Sequence, residues 1–287
     1  MTSGAEWQAA VGRNWADLHV RTDRSFSNLT PHLSAAISRE RGVRVVDVGC
    51  GAGELAWATA RARPNAQVIG IDISADLLAA AEQRGQRPAN LRFELADAAT
   101  WADPAGPFDL HVSRHGVMFF PDPNHAFAHL AAQTIPGGRI VFSCFRAPAD
   151  NAWASGIAEI VPTGSATPAP PESPRAYAPG PFAFADPDDV RRWMAGWTDI
   201  AFTRVDFDYV AGEGAGDGHA ADPVVDALDF FRRIGPAARA LRALPESERN
   251  ALETRLIHLL EQHRSGNRVS FAASAWIVTA TADHANR

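Results

Sequence analysis

Val45-Val46-Asp47-Val48-Gly49-Cys50-Gly51-Ala52-Gly53 is the stretch that decides the fold of this 287-residue chain. Its β-branched first half predicts a buried parallel strand over residues 44–48. The glycines that follow allow a tight turn and let a ligand approach the backbone. A helix is predicted to begin near Gly53, and the free N–H groups at a helix N-terminus favour a carboxylate or a phosphate. The stretch therefore predicts a strand–loop–helix unit that binds a ligand, with a tight turn lacking any ligand as the alternative.

The spacing of the glycines narrows the class of ligand. The dinucleotide-binding fingerprint G-x-G-x-x-G would place its third glycine at position 54. Position 54 is Glu54, and the third glycine is Gly53. This spacing argues against a nicotinamide-dependent oxidoreductase, although such enzymes share a parallel sheet of the same kind.

Acidic residues stand at the ends of the next two predicted strands. Asp72 ends the second strand, where a carboxylate can accept hydrogen bonds from both hydroxyls of a ribose. Asp97 follows the third strand and could accept a hydrogen bond from an adenine amino group. A helix N-cap for Asp72 and a turn for Asp97 are the alternative roles. Together with the glycine loop, the strand ends predict a carboxylate site, a ribose site and an adenine site.

Strands that alternate with helices of about 10 to 15 residues predict βαβ units around a parallel sheet. The Pro136-Gly137-Gly138 sequence predicts a turn. Strands are predicted at 44–48, 67–72, 91–95, 108–113, 139–145, 200–209 and 269–280. Helices are predicted within 5–41, from Gly53 to before Pro64, after Ser74, and at 121–133, 186–195, 223–244 and 246–263.

The chain is predicted to form one domain, 1–287, in which two insertions interrupt the alternation. These insertions can lie over the carboxyl edge of the sheet, where open α/β folds bind ligands. The glycine-rich segment 211–221 predicts a mobile loop. The predicted parts are N-terminal helices at 1–41, a cofactor-binding core at 42–146, cap insertions at 147–181 and 211–267, and the C-terminal part of the sheet at 182–210 and 268–282.

Residues 43–145 resemble the core of the class I S-adenosylmethionine-dependent methyltransferases. VVDVGCGAGELA at 45–56 is similar to the first motif of that family, VIGIDIS at 68–74 to the second, and LADAATWA at 95–102 to the third. PGGRIVFSCF at 136–145 resembles a later strand, and SRHGVMFFPDPNHAFAHL at 113–130 resembles the fourth-strand region of a bacterial subgroup loosely related to quinone C-methyltransferases. The resemblance implies a Rossmann-like α/β fold, with a seven-stranded, mostly parallel sheet whose last strand is antiparallel, and with helical cap insertions.

The resemblance also implies S-adenosylmethionine as cofactor and S-adenosylhomocysteine as product. The glycines would face the methionine moiety, Asp72 would hold the ribose, and Asp97 with Ala98 would hold the adenine. The N-terminal helices of related enzymes often fold over the cofactor, and in this chain they carry Trp15. The expected cofactor-binding residues are Trp15, Asp47, Gly49, Cys50, Gly51, Gly53, Asp72, Ile73, Leu77, Asp97, Ala98 and Arg114.

Three charged or titratable residues near the loop have more than one interpretation. Asp47 lies within a buried strand and needs a partner, so it is predicted to brace the glycine loop or to bind a ligand amine. Arg114 is predicted to contact the cofactor carboxylate, with a surface ion pair as the alternative. His115 is the candidate general base, because histidine titrates near neutral pH. The alternative for His115 is a loop histidine that only packs.

Composition excludes several classes of function. The net charge of −6 and the absence of a basic tract give no electrostatic basis for binding nucleic acid or an anionic membrane. All 27 basic residues are arginine, which excludes lysine Schiff-base chemistry. Cys50 and Cys144 are too few for a disulfide framework or a metal cage, and the His125–His129 pair has no visible third ligand, so no metal is expected. Without a signal-peptide pattern or a long apolar run, we expect a cytoplasmic protein. The sequence does not reveal the oligomeric state.

The function that the sequence predicts is methyl transfer to a small molecule. The aromatic residues of the predicted cap favour a hydrophobic or aromatic acceptor. Two alternatives stay open: a reaction other than methylation on the same cofactor, such as a cyclisation, and a protein that binds the cofactor without turnover. The aromatic residues in question are Trp153, Phe182, Phe184, Phe230 and Phe231.

Overall fold

A computed structural model describes residues 7–162, 177–214 and 222–283. The described strands form one sheet in the order β3-β2-β1-β4-β5-β8-β6, and the two-residue strand β7 pairs with β8 outside this path. The strands are β1 (Arg44–Val48), β2 (Gln67–Asp72), β3 (Leu91–Leu95), β4 (Phe108–Arg114), β5 (Thr134–Phe145), β6 (Trp197–Glu213), β7 (Arg264–Ser265) and β8 (Arg268–Ala282).

The strand directions confirm the predicted sheet. Strands β1 to β5 are parallel to one another, and β8 is antiparallel to both β5 and β6. Six strands therefore run one way and β8 runs the other way, with β7 as an addition that the sequence did not predict. The strand order reverses between β1 and β4, and open α/β sheets bind ligands at the carboxyl ends of the strands at such a point.

Eleven α-helices are described. Those that follow β1, β2 and β4 connect parallel strands, as the alternating pattern predicted. The helices are α1 (Ala10–Asp17), α2 (His19–Ser25), α3 (Thr30–Arg39), α4 (Glu54–Ala62), α5 (Ala75–Glu82), α6 (Pro123–Ala132), α7 (Ala152–Ile160), α8 (Pro187–Trp193), α9 (Pro223–Arg233), α10 (Gly235–Ala243) and α11 (Glu246–Gln262).

Two predicted boundaries near prolines are wrong. The helix predicted at 223–244 is two helices, because Gly235 has a φ of +81° and Pro236 cannot donate the hydrogen bond that a continuous helix requires. The turn predicted at Pro136-Gly137-Gly138 belongs to β5, which begins at Thr134. The pairing of β4 with β5 shifts register between Phe108 and Leu110, and this irregularity accommodates the turn-forming residues inside the strand.

Strand β6 extends beyond the predicted span 200–209 because its pairing with β8 continues as far as Glu213 and Arg268. Residues 211–213 are thus strand, although the sequence placed them in a glycine-rich loop. The rest of that loop, at 215–221, and the proline-rich stretch at 163–176 lie outside the described residues. The division into a core and cap insertions stays a prediction.

Helix α1 packs against the start of α5 at the carboxyl edge of the sheet. A Cβ atom at Gly12 would lie 2.3 Å from the Ser74 Oγ atom, so only a glycine allows α1 to come this close to the start of α5. Ser74 caps α5 by accepting a hydrogen bond from the Leu77 N–H. This contact places Trp15 beside the ends of β1 and β2.

Candidate cofactor and acceptor site

A cavity of about 260 Å³ opens at the carboxyl ends of β1, β2 and β4. Of the thirteen predicted site residues, twelve line this cavity, from Trp15 on α1 to His115 after β4. Gly53 does not line the cavity, because it lies against Ala81 and Phe93 on the other side of the loop. The predicted residues on the cavity wall are Trp15, Asp47, Gly49, Cys50, Gly51, Asp72, Ile73, Leu77, Asp97, Ala98, Arg114 and His115.

The glycine loop turns sharply between β1 and α4. The Cys50 N–H donates to the Ile71 carbonyl at 2.9 Å, and the Gly53 N–H donates to the Cys50 carbonyl at 2.9 Å. Gly51 has a φ of +55°, and no atom lies within 4 Å of where its Cβ would be. Gly53 has a φ of +82°, but a Cβ there would lie 2.8 Å from the Ala81 Cβ. Gly51 thus leaves open space toward the cavity, whereas Gly53 allows close packing of α4.

Alanine substitutions should separate these two roles. Gly51→Ala is expected to cost about 1–2 kcal/mol of unfolding free energy, which is the strain of a left-handed backbone on a residue with a Cβ. Gly53→Ala carries the same strain and also crowds Ala81 and Phe93, so roughly 1–3 kcal/mol should be added. Urea unfolding of both variants measures the difference, and equal losses would contradict the assigned packing.

Asp72 holds the loop from the end of β2. Its carboxylate accepts hydrogen bonds from the Gly51 N–H at 2.8 Å and from the Ser74 N–H at 2.9 Å. Burial raises the pKa of Asp72, and the N–H groups of Ser74 and Gly51 partly offset this rise. Each oxygen can accept a further hydrogen bond, so the carboxylate can also serve a ligand on the cavity side. Asp97 likewise lines the cavity and accepts from the Ala99 N–H at 2.9 Å.

Asp47 has an unusual environment. It lies on the central strand between Gly70 of β2 and Val112 of β4, and it is fully buried. Neither carboxylate oxygen has a hydrogen-bond partner among the described residues. Burial raises the pKa of Asp47 well above its ordinary value; Arg114 opposes this rise, and the Asp72 carboxylate adds to it. The Ala56 N–H, which follows the glycine loop, also lowers this pKa. Both roles considered for Asp47, a brace of the glycine loop and a partner for a ligand amine, stay predictions.

Arg114 lies in an ion-pair network at the mouth of the glycine loop. Its guanidinium donates to the Asp23 carboxylate at 2.9 Å, to the Thr30 hydroxyl at 3.1 Å and to Glu54. Asp23 also accepts from Arg84 at 2.5 Å. These ion pairs are largely buried, since the Arg114 side chain is 12% exposed, so they are not the surface ion pair considered as the alternative. The guanidinium also lines the cavity, and its contact with a cofactor carboxylate stays a prediction.

His115 follows β4 in a left-handed conformation, with a φ of +60°. Its Nδ1 atom lies 2.9 Å from the Ser143 hydroxyl, and its buried Nε2 atom has no partner among the described residues. Burial, together with the neighbouring Arg114, lowers the pKa of His115 to about 3. A histidine with this pKa stays neutral at pH 7 and is a weak proton acceptor. The general-base role stays a prediction that this environment does not favour.

Five aromatic rings, including that of His115, contact one another in a closed cycle. The contacting pairs and the distances between their ring centroids are His115–Phe145 (4.3 Å), Phe145–Trp153 (5.3 Å), Trp153–Tyr209 (5.4 Å), Tyr209–Phe26 (5.8 Å) and Phe26–His115 (4.8 Å). All five residues line the cavity. We call this set the aromatic wall.

Sequence reasoning missed several of these residues. Asp23 lies in α2, Phe26 directly follows α2, and Tyr209 lies in β6, far along the chain from the glycine loop. No local pattern identifies them, because only the packing of α2 and β6 against the sheet brings them to the cavity. Glu54 could have been found, since it directly follows the glycine loop and begins α4.

The described residues contain no group of three or more His, Cys, Asp or Glu side chains that could hold a metal ion. The His129 Nε2 atom lies 2.7 Å from the Trp101 carbonyl, so this histidine has a partner within the protein. Within the same described ranges, no helix has the length and apolar character needed to cross a membrane.

Comparison with known proteins agrees with the fold and the glycine loop. Residues 45–138 match the family model of a methyltransferase domain. The chain is 34% identical over 133 residues to the trans-aconitate 2-methyltransferase of Variovorax paradoxus, covering 46% of this chain and 48% of that protein. It is 33% identical over 111 residues to the demethylmenaquinone methyltransferase of Thermus thermophilus, covering 38% and 50%. The matches thus span about half the length of these curated relatives.

This chain is also similar to a solved structure. That structure comes from work on the conversion of a disulfide bond into a thioacetal group during echinomycin biosynthesis. The TM-score is 0.51 at 18% identity, with 89% of this chain and 82% of the other covered. At this identity the likeness shows the fold. Residues 45–138 are therefore similar to a methyltransferase domain, and the relatives matched over this region are named as methyltransferases.

Proposed function

We propose that this protein transfers a methyl group from S-adenosylmethionine to a small hydrophobic or aromatic acceptor. The observation that carries the proposal is the buried, unpaired carboxylate of Asp47 beside the glycine loop. A buried carboxylate without a partner is costly, and an ammonium group at the loop would supply the missing partner. The methionine moiety of the cofactor carries such an ammonium.

The rest of this end of the cavity also fits a cationic nucleoside. Gly51 leaves room for a ligand against the backbone, and Asp72 and Asp97 supply acceptors for ribose hydroxyls and an adenine amine. Ile73, Leu77 and Ala98 supply apolar surface between these carboxylates. Carboxylates outnumber guanidinium groups on the described lining, which suits the positive charges of a sulfonium and an ammonium.

When bound, S-adenosylmethionine supplies a methyl group that its sulfonium has already activated. The chain would then contribute mainly alignment and exclusion of water. Trp15 and the residues of the aromatic wall all line the cavity, so they can shield the reacting groups from water. The neutral His115 ring can orient an acceptor by a hydrogen bond without taking up a proton.

Calorimetric titration with S-adenosylhomocysteine tests the proposal, with NAD as the control ligand. The protein should first be shown by mass spectrometry to be free of bound cofactor. We expect micromolar binding of S-adenosylhomocysteine and no response to NAD. Lack of S-adenosylhomocysteine binding by cofactor-free protein would refute the proposed cofactor site, and turnover of a screened acceptor to a product 14 Da heavier would establish the activity.

A further inference from the structure

The aromatic wall contains two buried polar atoms that no described residue satisfies. They are the Nε2 atom of His115 and the Nε1 atom of Trp153. Both side chains are more than nine-tenths buried, at 7% and 5% exposure, and both line the cavity. Buried polar atoms are almost always paired, so a partner from outside the chain is indicated.

The rings that carry these two atoms lie in the same part of the cavity wall. The rings of His115 and Trp153 both contact Phe145, with centroids at 4.3 and 5.3 Å. The indole N–H of Trp153 can only donate a hydrogen bond. The free nitrogen of His115 donates or accepts according to the tautomer that Ser143 selects at Nδ1. A single oxygen, such as that of a phenol, can accept from the indole and exchange a hydrogen bond with the imidazole.

The electrostatics of the wall disfavour a charged acceptor. Arg114 is the one guanidinium on the described lining, and it is already paired with Asp23 and Glu54. An acceptor with several carboxylates would therefore find no free counter-charge among these residues. A cationic acceptor is disfavoured as well, because the Arg114 guanidinium already lies 5.2 Å from the Phe26 ring.

Taking these observations together, and resting on the proposed function, we propose that the acceptor is an uncharged, planar, largely apolar molecule that hydrogen-bonds through one polar group to Trp153 and His115. Planarity follows from the wall itself, since aromatic rings favour stacked and edge-to-face contacts with a flat partner. This chemistry differs from that of trans-aconitate, the acceptor named for four of the relatives to which the chain is similar.

A matched set of naphthalene probes tests the proposal by calorimetry. The set is 1-naphthol, naphthalene, 1-naphthoate and 1-naphthylmethylammonium, with trans-aconitate as a fifth ligand. Each titration is run on the full chain with saturating S-adenosylhomocysteine and repeated without it. We expect 1-naphthol to bind most tightly. The affinity for naphthalene should be about fivefold lower, because naphthalene lacks the hydroxyl that makes one neutral hydrogen bond.

The variant Trp153→Phe removes the indole donor and keeps an aromatic ring in the wall. It should weaken 1-naphthol binding about fivefold and leave the binding of naphthalene and S-adenosylhomocysteine unchanged. Trp276→Phe is the matched control, because the Trp276 indole donates to the Ala185 carbonyl at 3.0 Å, outside the cavity. This control should leave all probe affinities unchanged, and thermal unfolding shows whether either variant is folded.

The outcomes separate this proposal from the proposed function. Binding of S-adenosylhomocysteine without binding of 1-naphthol overturns the acceptor class and leaves the cofactor site intact. If the protein binds 1-naphthol but does not bind S-adenosylhomocysteine, the result supports the acceptor class and refutes the proposed function. Tighter binding of any charged probe, equal binding of naphthol and naphthalene, or no effect of Trp153→Phe would overturn the acceptor class.

Discussion

Replacing Asp47 with asparagine should weaken S-adenosylhomocysteine binding by about 10- to 100-fold and, in the same variant, raise the stability of the ligand-free protein. The affinity falls because a charge-assisted hydrogen bond to the ligand ammonium is worth about 1.5–3 kcal/mol. The stability rises because the variant no longer buries an unpaired carboxylate in the central strand. Calorimetry measures the first effect, and urea unfolding without ligand measures the second.

The gain in unfolding free energy of Asp47→Asn over the unsubstituted protein should increase as the pH rises. The pKa of Asp47 is raised in the folded protein, so its contribution to stability is complete below the ordinary carboxyl pKa and is lost as the pH rises through the raised value. Ligand affinity should change in the opposite sense, because the ammonium prefers the ionised carboxylate. Asp47→Asn should remove both of these pH dependences.

Asp103→Asn is the matched control for Asp47→Asn. The Asp103 carboxylate lies 2.7 Å from the Arg44 guanidinium and does not line the cavity. Burial raises the pKa of Asp103, but the Ala105 N–H and the Arg44 guanidinium outweigh this effect and hold the pKa below its ordinary value. This control should therefore lose stability at pH 7 and keep its S-adenosylhomocysteine affinity. A loss of affinity in the control, or unchanged affinity in Asp47→Asn, would refute the assigned role of Asp47.

Asp72→Ala should weaken S-adenosylhomocysteine binding by roughly 100-fold. Two hydrogen bonds from ribose hydroxyls to a carboxylate would be lost, each worth about 1.5–3 kcal/mol when measured singly. The carboxylate also accepts from the Gly51 and Ser74 N–H groups, so the loop itself should loosen and unfolding free energy should fall. Calorimetry measures the lost contact with the ligand, and urea unfolding measures the lost support of the glycine loop, so both measurements are needed.

Asp109→Ala provides the comparison for this variant. The Asp109 carboxylate accepts from the Val43 and Arg44 N–H groups, each at 2.7 Å, which is the same kind of backbone support. Asp109 does not line the cavity. The two variants should lose similar stability, and only Asp72→Ala should lose affinity. If Asp109→Ala weakened binding equally, the effect of Asp72→Ala would be general destabilisation and not a lost ribose contact.

The local pattern around 45–53 was enough to predict the strand, the glycine loop and the following helix. Asp72 and Asp97 could be placed at the same edge of the sheet because the carboxyl ends of parallel strands converge there. The break between α9 and α10 and the start of β5 were predicted wrongly. Gly235-Pro236 and Pro136-Gly137-Gly138 are strong turn signals, and whether such a signal ends an element depends on the neighbouring strand or helix.

The sequence by itself determined the class of fold and the glycine-loop side of the cavity, since both depend on residue spacing within single βα units. Only the tertiary structure decided the aromatic wall, because Phe26, Tyr209 and Trp153 come from three distant segments and meet through packing. The same holds for the electrostatics of Asp47 and His115. Their residue types are visible in the sequence, but the unpaired carboxylate and the neutral imidazole result from burial, which depends on every element packed around them.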